Sequence, residues 1–172
     1  MTKLFTNNYY KIILIIMIFS FVPSLSNGKS HPNFAISLAK FNVLHKDNTT
    51  FEMRFEYRQY DDNVFATPFG GIMFNMQGAF DFYGGVMMDF HLFGKFYLTP
   101  SFAPSIYIKG HSKDLSLALE FRSQVELSYQ MPNGIRFGIN FNHISNGGLR
   151  LPNVGVESLG ISYVMPFELF TN

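Results

Sequence analysis

From Phe51 to Arg58 the chain alternates without exception between an apolar and a charged side chain: Phe51-Glu52-Met53-Arg54-Phe55-Glu56-Tyr57-Arg58. The run Leu117-Ala118-Leu119-Glu120-Phe121-Arg122-Ser123-Gln124-Val125-Glu126-Leu127 likewise has a mainly apolar face and one that carries Glu120, Arg122 and Glu126. Strands send successive side chains to opposite faces, so each run is a strand with one apolar and one charged face. No convincing helical period occurs elsewhere, and the class is all-β. Segments of about ten residues separated by turn residues predict strands over 34–43, 50–60, 69–76, 79–92, 95–108, 115–129, 135–145 and 157–167.

Eight antiparallel strands of this kind close into a barrel, either soluble with the apolar face inside or transmembrane with that face on lipid. Bulk decides. An eight-stranded interior is just wide enough for side chains to fill. Glu52, Arg54, Glu56, Arg58, Glu120, Arg122 and Glu126 fill it as a salt-bridged network, which leaves the Phe-rich faces as a lipid belt. The composition agrees, with 17% aromatic residues, 21 Phe and no Trp. The expected fold is thus an eight-stranded antiparallel outer-membrane β-barrel.

The amino end carries Lys3 and Lys11 before an apolar run of eleven residues, Ile12 to Val22, followed by small and polar residues. A spanning helix needs roughly 20 apolar residues, so residues 1–26 read as a signal peptide, with an uncleaved anchor as the other reading. Residues 27–172 then form one domain. The chain has no cysteine and a formal net charge of +1, which removes disulfide and thiol chemistry and argues against a nucleic-acid partner.

An even strand count puts both termini in the periplasm. The last hairpin loop, Asn146 to Val156, then faces outward, and the preceding turn, Gln130 to Gly134, is periplasmic. Asp61 to Pro68 is long for a periplasmic turn, and Pro100 and Pro104 predict a bulged or broken fifth strand, because proline removes a ladder donor.

The candidate site lies in the last hairpin. Ile135, Phe137, Ile139 and Phe141 share a face that continues into His143 and Ser145, while Glu157 heads the stripe Leu159, Ile161, Tyr163 and Met165. With His143 opposite Glu157, the pairs Phe141 with Leu159, Ile139 with Ile161 and Phe137 with Tyr163 are all apolar on apolar, and serine, histidine and carboxylate form a row. That row is a nucleophile, its base and the group that orients the base. Asn146-Gly147-Gly148 offers an amide side chain and unhindered N–H groups for an oxyanion. A polar rim flanking the lipid belt is the alternative reading. His111-Ser112 reads as a solvated loop, Asp81, Asp89, His91 and His45 as lumen or loop residues, and Gly70-Gly71 and Gly84-Gly85 as close packing or bulges within strands. Arg150 is placed either to contact a lipid phosphate or as an ordinary loop arginine.

The stretch FNHISNGGLRLPNVGVESLGISY resembles the outer-membrane lipid A 3-O-deacylase family. The resemblance implies His143 as base, Ser145 as nucleophile and Glu157, fourteen residues after the histidine, as third member, with Asn146 and Gly148 at the oxyanion hole. It further implies an outer-membrane hydrolase whose partner is lipid A of lipopolysaccharide in the outer leaflet, with neither metal nor cofactor. The residues leave the oligomeric state open, a homodimer included. They also leave room for a non-catalytic structural or adhesive barrel, or a soluble exported lipid-binding barrel.

Overall fold

The computed structural model describes residues 31–61 and 64–170. The expected signal segment, 1–26, lies outside the described residues. Among the described residues nine strands are formed: β1 (His31–Phe41), β2 (Thr50–Tyr60), β3 (Thr67–Asn75), β4 (Phe80–Met87), β5 (Phe90–Phe93), β6 (Phe96–Ile108), β7 (Leu119–Gln130), β8 (Arg136–Ser145) and β9 (Gly155–Pro166), followed by a 3-10 turn, Phe167–Phe170. They lie in the order β4-β3-β2-β1-β9-β8-β7-β6-β5, and a β4–β6 pairing closes the sheet on itself. β4 and β5 are consecutive pieces of one barrel strand, both paired with β6, so the barrel is eight-stranded and antiparallel.

The alternation in β2 and β7 is resolved as expected. Glu52, Arg54, Glu56, Arg58, Glu120, Arg122 and Glu126 are all buried in the lumen, whereas Phe51, Tyr57, Val125 and Leu127 face outward and are exposed. Ion pairs knit the lumen across strands. Arg58 forks onto Glu126 with bonds of 2.8 and 3.0 Å, and its Nε donates to Glu56 at 2.8 Å. Arg54 pairs with Glu52 at 3.2 Å and Arg122 with Asp81 at 3.2 Å. Arg136 bonds both oxygens of Asp89, at 2.9 and 2.8 Å, between the rings of Tyr60 and Tyr97. Asp81 and Asp89 therefore have the lumen roles expected of them. On the outer wall, Phe34, Phe55, Phe74 and Phe80 form a ladder across four strands, with centroids 6.1 to 6.3 Å apart.

Three expectations about strands need correction. The prolines of β6 do not interrupt it: its register with β7 runs unbroken from Phe96↔Tyr129 to Ile106↔Leu119. The interruption falls in its other neighbour, between β4 and β5. Met88 N–H donates to the Pro100 carbonyl at 3.0 Å. An antiparallel residue points its nitrogen and carbonyl at the same neighbour, so the donor that Pro100 lacks is missing on the side where the strand is broken. Pro104, four residues on, faces the same side. β7 begins at Leu119, not near Leu115, because residues 109–118 leave the wall to cross the barrel mouth, where Leu115 is buried. β9 begins two residues before Glu157.

Of the paired glycines inside strands, Gly71 and Gly85 mark close packing, since a Cβ would stand 2.5 Å from the Phe55 carbonyl and 2.1 Å from the Phe102 carbonyl, whereas Gly84 has room for one. Loop His111 is exposed, and Ser112 is tied to Asn75 and Gln77 by bonds of 2.9 and 3.1 Å.

Arg58→Met leaves Glu126 buried without its ion-pair partner and takes from Glu56 the nearest of the guanidiniums around it. The expected cost is about 3–5 kcal/mol, read from equilibrium unfolding in detergent by far-UV circular dichroism. A loss below about 1 kcal/mol would mean that lumen water screens these charges.

Candidate active site

β8 and β9 pair with His143 opposite Glu157, Phe141 opposite Leu159, Ile139 opposite Ile161 and Phe137 opposite Tyr163. This is the register in which both apolar stripes face outward, and Phe137, Ile139, Leu159 and Ile161 are indeed exposed. One residue of slip would turn all of them into the lumen. The same parity carries His143, Ser145 and Glu157 to the outer wall, at the end of the barrel where the β8–β9 loop (146–154) begins.

The three side chains meet there. Glu157 Oε1 lies 2.9 Å from His143 Nδ1, and His143 Nε2 lies 3.0 Å from Ser145 Oγ. Ionised carboxylate oxygens only accept, so Nδ1 carries the proton and donates to Glu157, which leaves the Nε2 lone pair to accept from the Ser145 hydroxyl. The serine is 8% exposed, and the His143 and Glu157 side chains are 42% and 17% exposed. The imidazole edge is therefore open at the surface while the carboxylate is largely covered. Glu157 Oε2 is buried without a hydrogen-bond partner among the described residues, and the Glu157 carbonyl accepts from Val43 N–H at 2.8 Å, which anchors β9 to the β1–β2 loop.

The sequence reading passed over one residue of this arrangement. Gly155 faces Ser145 across the hairpin. A Cβ at Gly155 would stand 2.5 Å from His143 Cε1 and 3.3 Å from its Nε2. The missing side chain is the slot in which the imidazole lies. Extending the predicted register by one pair finds it, as the only outward position of β9 without a side chain.

Asn146 and Gly148 are close in sequence to the serine but are bonded to each other. The Asn146 side chain is fully buried, and its Oδ1 accepts from Gly148 N–H at 2.9 Å and from Arg150 N–H at 3.5 Å. Its Nδ2 donates to the Leu115 carbonyl at 3.4 Å. Asn146 thus closes the turn that bears Gly147 and Gly148, both at positive φ (60° and 79°), where glycine is favoured. Arg150 Nη1 donates to the Ser116 carbonyl at 3.1 Å, so this arginine ties two outer loops together.

A hydrogen-bonded carboxylate, imidazole and hydroxyl in this order remove the serine proton as the oxygen attacks, which is the requirement of acyl transfer. A family model described as lipid A 3-O-deacylase (PagL) matches residues 48–166. No curated protein is detectably similar in sequence. Among solved structures, the crystal structure of the outer membrane enzyme PagL is similar over 78% of this chain and 99% of its own, at 16% identity and a TM-score of 0.61. De novo designed transmembrane β-barrels (7% identity, 79% of this chain and 94% of theirs, TM-score 0.58) share the same shape. So does Neisserial surface protein A (13% identity, 80% of this chain and 97% of its own, TM-score 0.55). At these identities the structural likeness speaks to the barrel.

Gly155→Ala is expected to push the imidazole off the Ser145–Glu157 line while leaving the barrel folded. The proton on Nδ1 reports it as a low-field resonance in proton NMR, which should shift or vanish in the variant with circular dichroism unchanged. An unaltered resonance would show that the ring has room for a methyl group.

Proposed function

The chain belongs to the lipid A 3-O-deacylase (PagL) family, and on that premise we propose that Ser145, His143 and Glu157 hydrolyse the ester holding the 3-O acyl chain of lipid A. The family and the fold make it a barrel of the bacterial outer membrane. The observation that carries the reading is the row Glu157–His143–Ser145, with links of 2.9 and 3.0 Å, on the outer face of a membrane barrel. The designed barrels and Neisserial surface protein A share the architecture, so barrel shape cannot discriminate function, and this row is the discriminating feature.

The chemistry proceeds in two halves. Ser145 Oγ attacks the acyl carbonyl carbon as its proton passes to His143 Nε2, and the carbonyl π electrons move onto oxygen. The tetrahedral adduct collapses, the C–O bond to the sugar breaks, and His143 returns the proton to the departing sugar oxygen. A water molecule then repeats the sequence on the acyl-serine, giving up its proton to Nε2 and releasing the fatty acid and the Ser145 hydroxyl. Glu157 stays ionised throughout and stabilises the imidazolium through Nδ1–H. No step changes an oxidation state. One chain holds all three residues, so a monomer is complete for this reaction.

Asn146 and Gly148 are the proposed oxyanion donors. Gly148 N–H takes that role when its bond to Asn146 Oδ1 opens, and Asn146 retains a second Nδ2 hydrogen beyond the one directed at Leu115. The outer wall next to the row is apolar, with Phe141 and Leu159 beside His143 and Glu157 on their strands and Ile139 and Ile161 beyond them, and the acyl chain lies against it. A separate groove of about 490 Å³ with an almost wholly apolar lining that includes Leu38, Leu127, Phe137, Ile139 and Ile161 lies farther down the wall, toward the periplasmic turns.

The test is mass spectrometry of lipid A from Gram-negative cells carrying the wild-type chain, Ser145→Ala or Glu157→Ala, at equal outer-membrane abundance. Wild type should remove one hydroxyacyl chain. Ser145→Ala should lower the rate by roughly 10³-fold or more, and Glu157→Ala by roughly 10⁴-fold. Intact lipid A with a folded wild-type barrel would overturn the hydrolase reading.

A further inference from the structure

The β6–β7 loop (109–118) crosses the barrel mouth and carries two lysines with different surroundings. Lys109 Nζ is paired with Asp114 at 2.6 Å. Lys113 Nζ donates to Asn42 Oδ1 at 3.0 Å and makes no ion pair among the described residues. Its position is nonetheless fixed. Asn42 is buried, holds φ at 56°, and binds the Asp47 carbonyl through Nδ2. The next residue, Val43, donates to the Glu157 carbonyl. Lys113 is therefore held at the rim on the β1 side of Glu157, with His143 on the β8 side.

Lys113 is partly shielded from water, which pulls its ammonium below the ordinary lysine range, and the Glu157 carboxylate acts in the opposite direction. Glu157 offsets that loss only in part and forms no ion pair with Lys113, whose hydrogen-bond partner, Asn42, is neutral, and a partly desolvated cation of this kind has room for a further anion. The outer loops carry Lys46, Lys109, Lys113 and Arg150 against Asp47 and Asp114, and Lys40 stands on the outer wall beside Leu159. Compact tetrahedral anions suit an ammonium with free donors, as a phosphate does.

We propose that Lys113 binds a phosphate ester on the headgroup of the lipid, docking it on the Glu157 side of the catalytic row while the acyl ester meets Ser145. The assignment rests on the hydrolase reading and adds to it a determinant of substrate choice: phosphorylated glycolipids are held, dephosphorylated ones are not.

The experiment measures binding, so it stands apart from turnover. In zwitterionic detergent micelles, the Ser145→Ala chain is titrated with phosphorylated lipid A and with the same lipid after phosphatase treatment. Adding Lys113→Gln should weaken binding of the phosphorylated lipid roughly tenfold and leave the dephosphorylated one unchanged. Lys113→Arg should restore binding. Equal weakening for both lipids, or none for either, would overturn the proposal. Inorganic phosphate serves as competitor, and its displacing the lipid at submillimolar concentration would assign the site to a free anion and overturn the headgroup assignment. If Lys113→Gln does not fold, salt dependence decides: affinity of the Ser145→Ala chain for the phosphorylated lipid should fall as salt rises, and a salt-independent affinity would sink the idea. A wild-type chain that cleaves nothing defeats the hydrolase reading while leaving this comparison interpretable.

Discussion

Closure of the sheet through the β4–β6 pairing is the constraint on which the rest of this structure depends. In hydrocarbon an unpaired backbone N–H or C=O has no water to turn to, so a membrane sheet must have no edge. Eight strand positions satisfy that demand, and they also fix the lumen at a width that arginine and glutamate side chains span. The Arg58–Glu126 fork and the Arg122–Asp81 and Arg136–Asp89 pairs each join strands far apart in sequence. Buried pairs of this kind are weak evidence for stability, because desolvation offsets much of the Coulomb gain. Their contribution here is selectivity of register: moving β2, β7 or β8 by one residue would place a guanidinium in lipid and an aromatic ring in the lumen.

That selectivity reaches the outer wall. The residues that set the β7–β8–β9 register point inward, among them Glu126, Asn140, Asn142 and Ser158, while the residues of the candidate site point outward on the same strands. Arg54 bonds both Gln124 and Asn140, and Ser158 donates to Glu52 at 3.0 Å. His143, Ser145 and Glu157 hardly touch these groups, yet their alignment follows from them, since a strand that cannot slip cannot misplace its opposite face.

Much of this was legible in the chain because period two is a local signal. Each apolar stripe of the last hairpin has a single register that leaves no apolar residue facing a charge, and it brings Glu157 to His143. The lumen charges of β2 and β7 were legible for the same reason. Features that depend on a neighbour were not. The prolines of β6 act on the strand beside them, so the break at Met88-Asp89 could not be read from either segment alone. Asn146 was recognisable as a polar group near the serine, but its bond to the Leu115 carbonyl depends on a loop thirty residues away crossing the mouth. The placing of Lys113 against Asn42 and near Glu157 is visible only once that crossing is known.

A polar row on a lipid-facing wall needs a physical reason to persist. Each of its groups is satisfied by the next, from carboxylate to Nδ1–H and from Nε2 to hydroxyl, so little is left bare except Glu157 Oε2. Its height on the wall supplies the rest. The row sits at the last outward positions of β8 and the first of β9, above Phe141 and Leu159, where the apolar belt ends and the loops begin. Acyl esters of membrane lipids lie at that boundary, with hydrocarbon on one side and charged headgroup on the other. The apolar wall that starts at Phe141 and Leu159 and the ammonium of Lys113, which makes no ion pair among the described residues, match those two sides in chemistry. A glycolipid kept in its own leaflet can therefore present its ester to Ser145 without being lifted from the membrane, and the desolvation that would oppose drawing such a molecule into a soluble cleft does not arise.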